Sequence, residues 1–108
     1  MHDKIGLTPE RVTRLNDLLL EKKFVEDGLY PGAPNERIRM ESQLRMNRFI
    51  SDVFRLLARG TRREELFARA KVLKEEFQHD DTEEIERADD YLGSVMQIVG
   101  IPDWAEYL

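Results

Sequence analysis

Leu66, Ala70, Leu73 and Phe77 recur at i, i+4, i+7 and i+11. That spacing follows the 3.6-residue period of an α-helix and leaves no room for the two-residue alternation of a strand. The pattern starts immediately after two local signals. Gly60 is a natural helix stop, and Thr61-Arg62-Arg63-Glu64 reads as a capping box that opens the next helix at once. A chain built around such a segment has to bury one helical stripe against others, so the question becomes how many further stripes the sequence holds.

Three more are found. Thr8-Pro9 pairs an N-cap hydroxyl with a proline at the first helical position, and Val12, Leu15, Leu18 and Leu19 then share a face, with a helix expected to fray near Lys23. From about Asn35 to Arg59, the residues Leu44, Met46, Phe49, Ile50, Val53, Phe54 and Leu57 give a broad stripe suited to a central helix. Asp81-Thr82-Glu83-Glu84 announces a fourth helix with an acidic first turn, and its stripe is Ile85, Ala88, Leu92, Val95, Met96 and Val99. Gly93 within it marks close packing, and Gly100-Ile101-Pro102 ends it. Between the first two helices, FVEDGLYPGAPN at 24–35 holds two glycines and two prolines. This is a structured turn, and Phe24, Val25, Leu29 and Tyr30 are expected to fold back onto the core. Tyr30 is expected to be mostly buried with its hydroxyl on a polar partner, or else to be an exposed binding anchor. A last turn should lay Trp104 and Leu108 on the body. The expectation is an all-α, compact bundle of four main helices, with a structured Pro/Gly turn after the first and a short C-terminal turn. At 108 residues, positions 1–108 make a single domain.

Composition removes several kinds of chemistry. There are no cysteines, which excludes thiol catalysis, zinc fingers, iron–sulfur clusters and disulfides. The longest apolar runs are three residues, as in Leu18-Leu19-Leu20 or Leu56-Leu57-Ala58, whereas a membrane helix needs about 20. MHDKIGLTPE lacks the basic-then-apolar signal pattern, so the expected location is cytoplasmic. No Gly-rich phosphate cradle, nucleophile elbow or HExxH motif occurs. Of the two histidines, His2 lies near the N-terminus and His79 in the turn Gln78-His79-Asp80-Asp81. His79, Asp81 and Glu83 lack the spacing of a calcium loop, and the adjacent Asp89 and Asp90 point in different directions on a helix. Neither an enzyme nor a cofactor or metal site is expected.

Charge is distributed unevenly. Residues 1–74 carry 16 Lys/Arg against 11 Asp/Glu, whereas residues 75–108 carry Arg87 alone against 11 acids. One reading is that the basic middle helices pair with the acidic last one through surface ion pairs. The other is that Glu83, Glu86 and Asp90, about one turn apart, form a stripe that docks a basic partner. Direct nucleic-acid binding is not expected of a chain with a pI near 5.1 and few aromatics.

Three segments together resemble an uncharacterised family of small bacterial all-helical proteins: FVEDGLYPG at 24–32, F-x3-DTEE at 77–84 and DYLGSVMQIVGI at 90–101. Its members carry an FxxDxxYYPG-like turn after the first helix and a DTEDRE…YFxxIMDIxGI-like ending. The Gly-Leu before Tyr30 and the ending IPDWAEYL depart from that pattern. In size and make-up the chain also looks like the immunity partners of secreted bacterial toxins. The expected function is therefore a protein-binding module, a cytoplasmic immunity protein that covers the active site of a basic toxin domain with an acidic surface. The alternative is an adaptor or regulatory subunit of a bacterial or phage complex, and a homodimer without an enzyme target is a third. The residues expected to meet the partner are Asp80, Asp81, Glu83, Glu86 and Asp90, with Tyr91 or Trp104 as aromatic anchor. Asp81 has a competing use as a helix cap.

Overall fold

In the computed structural model, which describes residues 4–108, each helix begins where a local cap permits it. Thr8 accepts the Arg11 N–H at 3.1 Å and α1 runs Pro9–Leu20. Asn35 accepts the Ile38 N–H at 2.9 Å and α2 runs Glu36–Arg59. The third helix, α3, spans Arg63–Phe77, and α4 spans Thr82–Ile98. A single 3-10 turn follows at Trp104–Glu106. The architecture is an all-α bundle: α1 and α3 each touch both α2 and α4, which also touch each other. Phe49, Ile50, Val53, Leu92, Val95 and Met96 are fully buried between them.

Several local expectations are corrected. Leu44 is 56% exposed, because a residue two positions before Met46 lies about 200° round the helix from it. Val12 is 40% exposed although it shares a face with the buried Leu15, since α1 packs at the edge of the bundle. The capping acid of α3 is Glu65, not Glu64. Its Oε1 accepts the Thr61 hydroxyl at 2.8 Å and the Arg62 N–H at 3.3 Å, so the helix opens one residue late. Thr61 is held back because it exchanges two backbone hydrogen bonds with Ile5, at 2.6 and 2.9 Å. Asp81 occupies the N-cap of α4, but its side chain makes no capping hydrogen bond.

The C-terminus of α4 is a Schellman closure: Gly100, at φ 87°, donates to the Gln97 carbonyl at 3.1 Å and Ile101 to that of Met96 at 2.8 Å. Gly93 admits the indole of the half-buried Trp104, whose Nε1 would stand 3.4 Å from a Cβ there.

The segment after α1 is pinned by Lys23, which the sequence did not single out, and by Phe24, which folds onto the core as expected. Lys23 is fully buried, and its ammonium donates to the carbonyls of Leu19 at 3.2 Å and Glu21 at 2.9 Å, satisfying acceptors left over at the helix end. Burial pulls its pKa below the ordinary lysine value, against the opposing pull of the Glu21 carboxylate. Phe24 sits at φ 63°, a conformation unfavourable for any side-chain-bearing residue. Tertiary contacts hold it there. Its ring lies 5.7 Å from Phe77 and 5.2 Å from Tyr91, and its N–H donates to the Tyr91 hydroxyl at 3.1 Å.

Candidate functional site

After Phe24 the chain reverses tightly. Asp27 and Tyr30 exchange backbone hydrogen bonds at 2.9 and 3.0 Å around Gly28, whose φ of 58° suits glycine, and Leu29. Three contacts fasten this turn to α4. The Arg87 guanidinium donates to Asp27 Oδ2 at 2.9 Å. It also lies over the rings of Tyr30 and Tyr91, 5.2 and 5.0 Å from their centroids. The Tyr30 hydroxyl donates to Glu84 Oε2 at 2.9 Å, and burial together with that carboxylate pushes the phenol well above its ordinary pKa. Tyr30 itself is half-buried, less deeply placed than expected.

Leu29 meets the opposite fate from the one expected of it. It is fully exposed at the tip of the turn, at 104% of its reference area. A two-residue loop has no slack to fold its tip inward once Asp27 and Tyr30 are hydrogen-bonded. Beside it, Glu83, Glu86 and Asp90 line a cavity of about 220 Å³ together with Leu29, Tyr30, Pro31 and Arg87. Among the described residues no cation pairs with Glu83 or Glu86, and Asp90 is 3.9 Å from Arg87.

The other residues expected to meet a partner are distributed elsewhere. Asp80 and Asp81 line a second cavity, on the α2 side, and Asp80 is engaged by Arg45 at 2.9 Å. Tyr91 is buried at 5% exposure beneath Phe24 and Arg87. It is a core residue and not an accessible anchor. Trp104 packs on Gly93, ten residues along α4 from Glu83 and so about 15 Å away. The residues the sequence left out are Leu29 and Arg87. A leucine following glycine in a tight reversal was the available signal, since a turn tip projects outward. His2 lies outside the described residues. His79 is exposed, and among the described residues no group of three or more His, Cys, Asp or Glu side chains is placed to hold a metal ion.

A third concavity, of about 640 Å³, lies between α2 and α3 over Leu56, Ala68 and Val72. Its charged side chains are paired with one another: Arg69 with Asp52 at 2.7 Å, Arg59 with Glu65 at 2.7 Å, and Arg55 with Asp52.

The family described as Domain of unknown function (DUF4844) matches residues 6–106. The chain belongs to this family. No curated protein and no solved structure matches it. The DUF4844 match takes in the turn, α4 and the Schellman closure alike, so the site built on Leu29 lies wholly within the family domain. Among the described residues of this DUF4844 chain, no helix is long and apolar enough to cross a membrane.

Proposed function

We propose that this chain is a protein-binding module, a cytoplasmic immunity protein that inhibits a bacterial toxin by covering a basic active-site cleft. The observation that carries the reading is the wholly exposed Leu29, held on a hydrogen-bonded turn beside Glu83 and Glu86, which among the described residues have no cation of their own. An apolar knob fixed in position loses little conformational freedom on docking, and unpaired acids around it steer a cationic surface and reject an anionic one. The docking residues are Leu29, Glu83, Glu86 and Asp90. Asp80 and Asp81 stand outside this contact, and Tyr91 acts beneath it by supporting Arg87. The role requires no catalysis, cofactor, nucleic acid or membrane.

The test is affinity for the co-expressed protein that co-purifies with the chain, measured for Leu29→Asp and for the triple change Glu83→Lys, Glu86→Lys and Asp90→Lys. Folding is checked by circular dichroism, and protection of cells from that protein is scored in parallel. Each variant should weaken binding by at least about tenfold and lose protection. Unchanged affinity in both variants would sink the docking surface. Weakened binding to a partner without toxicity would replace the inhibitor with an adaptor.

A further inference from the structure

The second cavity, about 210 Å³, lies where α2 and the Pro34 turn meet the start of α4. Ser42 lines it, is 1% exposed, and its hydroxyl finds no hydrogen-bond partner. A helical serine in that position ordinarily donates back to the carbonyl four residues earlier, here Ile38, and burial of an unpaired hydroxyl is unfavourable. Glu84 lines the same cavity at 3% exposure. It stands in the first turn of α4 and accepts the Tyr30 hydroxyl at 2.9 Å, but among the described residues no cation pairs with it. Asp81 at the rim is likewise unpaired among the described residues, whereas the two rim arginines are already engaged, Arg37 with Glu41 at 3.1 Å and Arg45 with Asp80 at 2.9 Å. The cavity therefore presents a hydroxyl without a partner, free to accept a hydrogen bond, and two carboxylates without a cation among the described residues, with a net negative charge.

We propose that this cavity binds an organic cation carrying N–H donors, an alkylammonium or a guanidinium. Such a head group supplies donors to Ser42 Oγ and to the Glu84 and Asp81 carboxylates, and accepts nothing in return. Charge-assisted hydrogen bonds are stronger than neutral ones, and Glu84 would make them from a buried position. An anion is repelled by the same carboxylates. A bare metal ion is disfavoured because, among the described residues, no three acidic or histidine side chains converge on one point. The cation comes either from a free small amine or from a lysine or arginine side chain of another protein. The site stands on the opposite side of the Tyr30–Glu84 hydrogen bond from Leu29 and does not depend on the docking surface there.

The experiment follows backbone amide resonances of Ser42 and Glu84 by NMR during titration of the intact chain with methylguanidinium and n-butylammonium chlorides. Urea and n-butanol serve as neutral counterparts, and sodium chloride as the salt control. Saturable shifts with dissociation constants of about 1–10 mM are expected for the cations only. Glu84→Gln, which keeps an acceptor for Tyr30, should weaken them about tenfold, and Ser42→Ala several-fold without loss of the fold. Titration with the blocked tripeptides Gly-Lys-Gly and Gly-Arg-Gly distinguishes the sources. Tighter binding of a peptide than of its free cation identifies a protein side chain, and exclusion of both peptides identifies a small amine. Linear, unsaturable shifts, equal shifts with the neutral compounds, or affinity unchanged in Ser42→Ala would overturn the proposal, the last even if Glu84→Gln fails to fold.

Discussion

On the α2–α3 face, Asp52 holds both Arg55 and Arg69, and Arg59 reaches Glu65 at 2.7 Å across the helix connection. At the start of α4, Glu83 and Glu86 face no cation among the described residues, and Asp90 stands 3.9 Å from Arg87, whose better partner is Asp27 at 2.9 Å. Both regions are crowded with charge, yet one closes on itself and the other does not. The pairings between the basic middle of the chain and its acidic end are Arg45–Asp80, Arg63–Asp103 and Lys74–Asp89, at 2.9, 3.6 and 3.5 Å. They leave the stripe beside Leu29 out. A count of charges along the sequence cannot separate these regions. Partnering can: among the described residues, Glu83 and Glu86 are left without a cation, whereas the charges of the α2–α3 face are paired.

The largest expected effect concerns what the stripe is mounted on. Leu92, fully buried two residues beyond Asp90, anchors the same helix to the core. Leu92→Ala should cost about 2–5 kcal/mol by chemical denaturation. A cost below about 1 kcal/mol would mean that α4 is not held rigidly and that its carboxylates are not a fixed surface.

The turn comes next, because Tyr30 joins it to α4. Tyr30→Phe leaves the Glu84 carboxylate without its phenol donor and should cost about 1–3 kcal/mol at neutral pH. The pH dependence has a definite sign. The folded phenol has a pKa above its unfolded value of 10.0, so its contribution is complete below that pH and is lost as pH rises toward the folded value. The stability gap between wild type and Tyr30→Phe should thus narrow above about pH 10. A gap constant from pH 8 to 11 in urea melts would rule out the Tyr30–Glu84 link as its source.

What could be read from the sequence divides along the same physical line. Thr8, Asn35, Gly60 and Gly100 act within a few residues of themselves, so the helix limits they set are legible locally. Tyr91 looked like a surface aromatic on an acidic helix. It is buried because Phe24, 67 residues away, donates to its hydroxyl, and no local signal announces that contact. Phe24 adopts its unfavourable φ for the same reason. Leu29 looked like core by composition and is surface by turn geometry. Of the candidate surface, Glu83 and Glu86 were legible as an exposed stripe, since among the described residues no cation pairs with them. Its apolar knob, its Arg87 clamp and the separation of Asp80 and Asp81 into another cavity were not, because each depends on how the turn lies against α4.

The comparison of charged regions can itself be broken by a matched pair of changes. Asp52→Ala removes the partly buried partner of two arginines and should cost about 1 kcal/mol, whereas Glu86→Lys should stay within about 0.5 kcal/mol. Equal costs in the same denaturation assay would mean that the α4 acids are tied into the fold no less than those of the α2–α3 face.

The smallest effect tests a carboxylate used for local structure. Glu65 accepts from the Thr61 hydroxyl and the Arg62 N–H. Those hydrogen bonds, with the nearby arginines, hold its carboxyl below the ordinary glutamate pKa of 4.5. A group lowered in the folded state contributes fully above its unfolded pKa, and that contribution is lost as pH falls through the folded value. Glu65→Gln should therefore melt slightly below wild type at pH 7, and the two melting temperatures should converge as pH falls from about 5 to 3. Parallel curves for Glu65→Gln and wild type would mean that the capping contact at the start of α3 contributes nothing through its charge. Glu65 would then belong with the unpaired acids of α4, and not with the internally closed face.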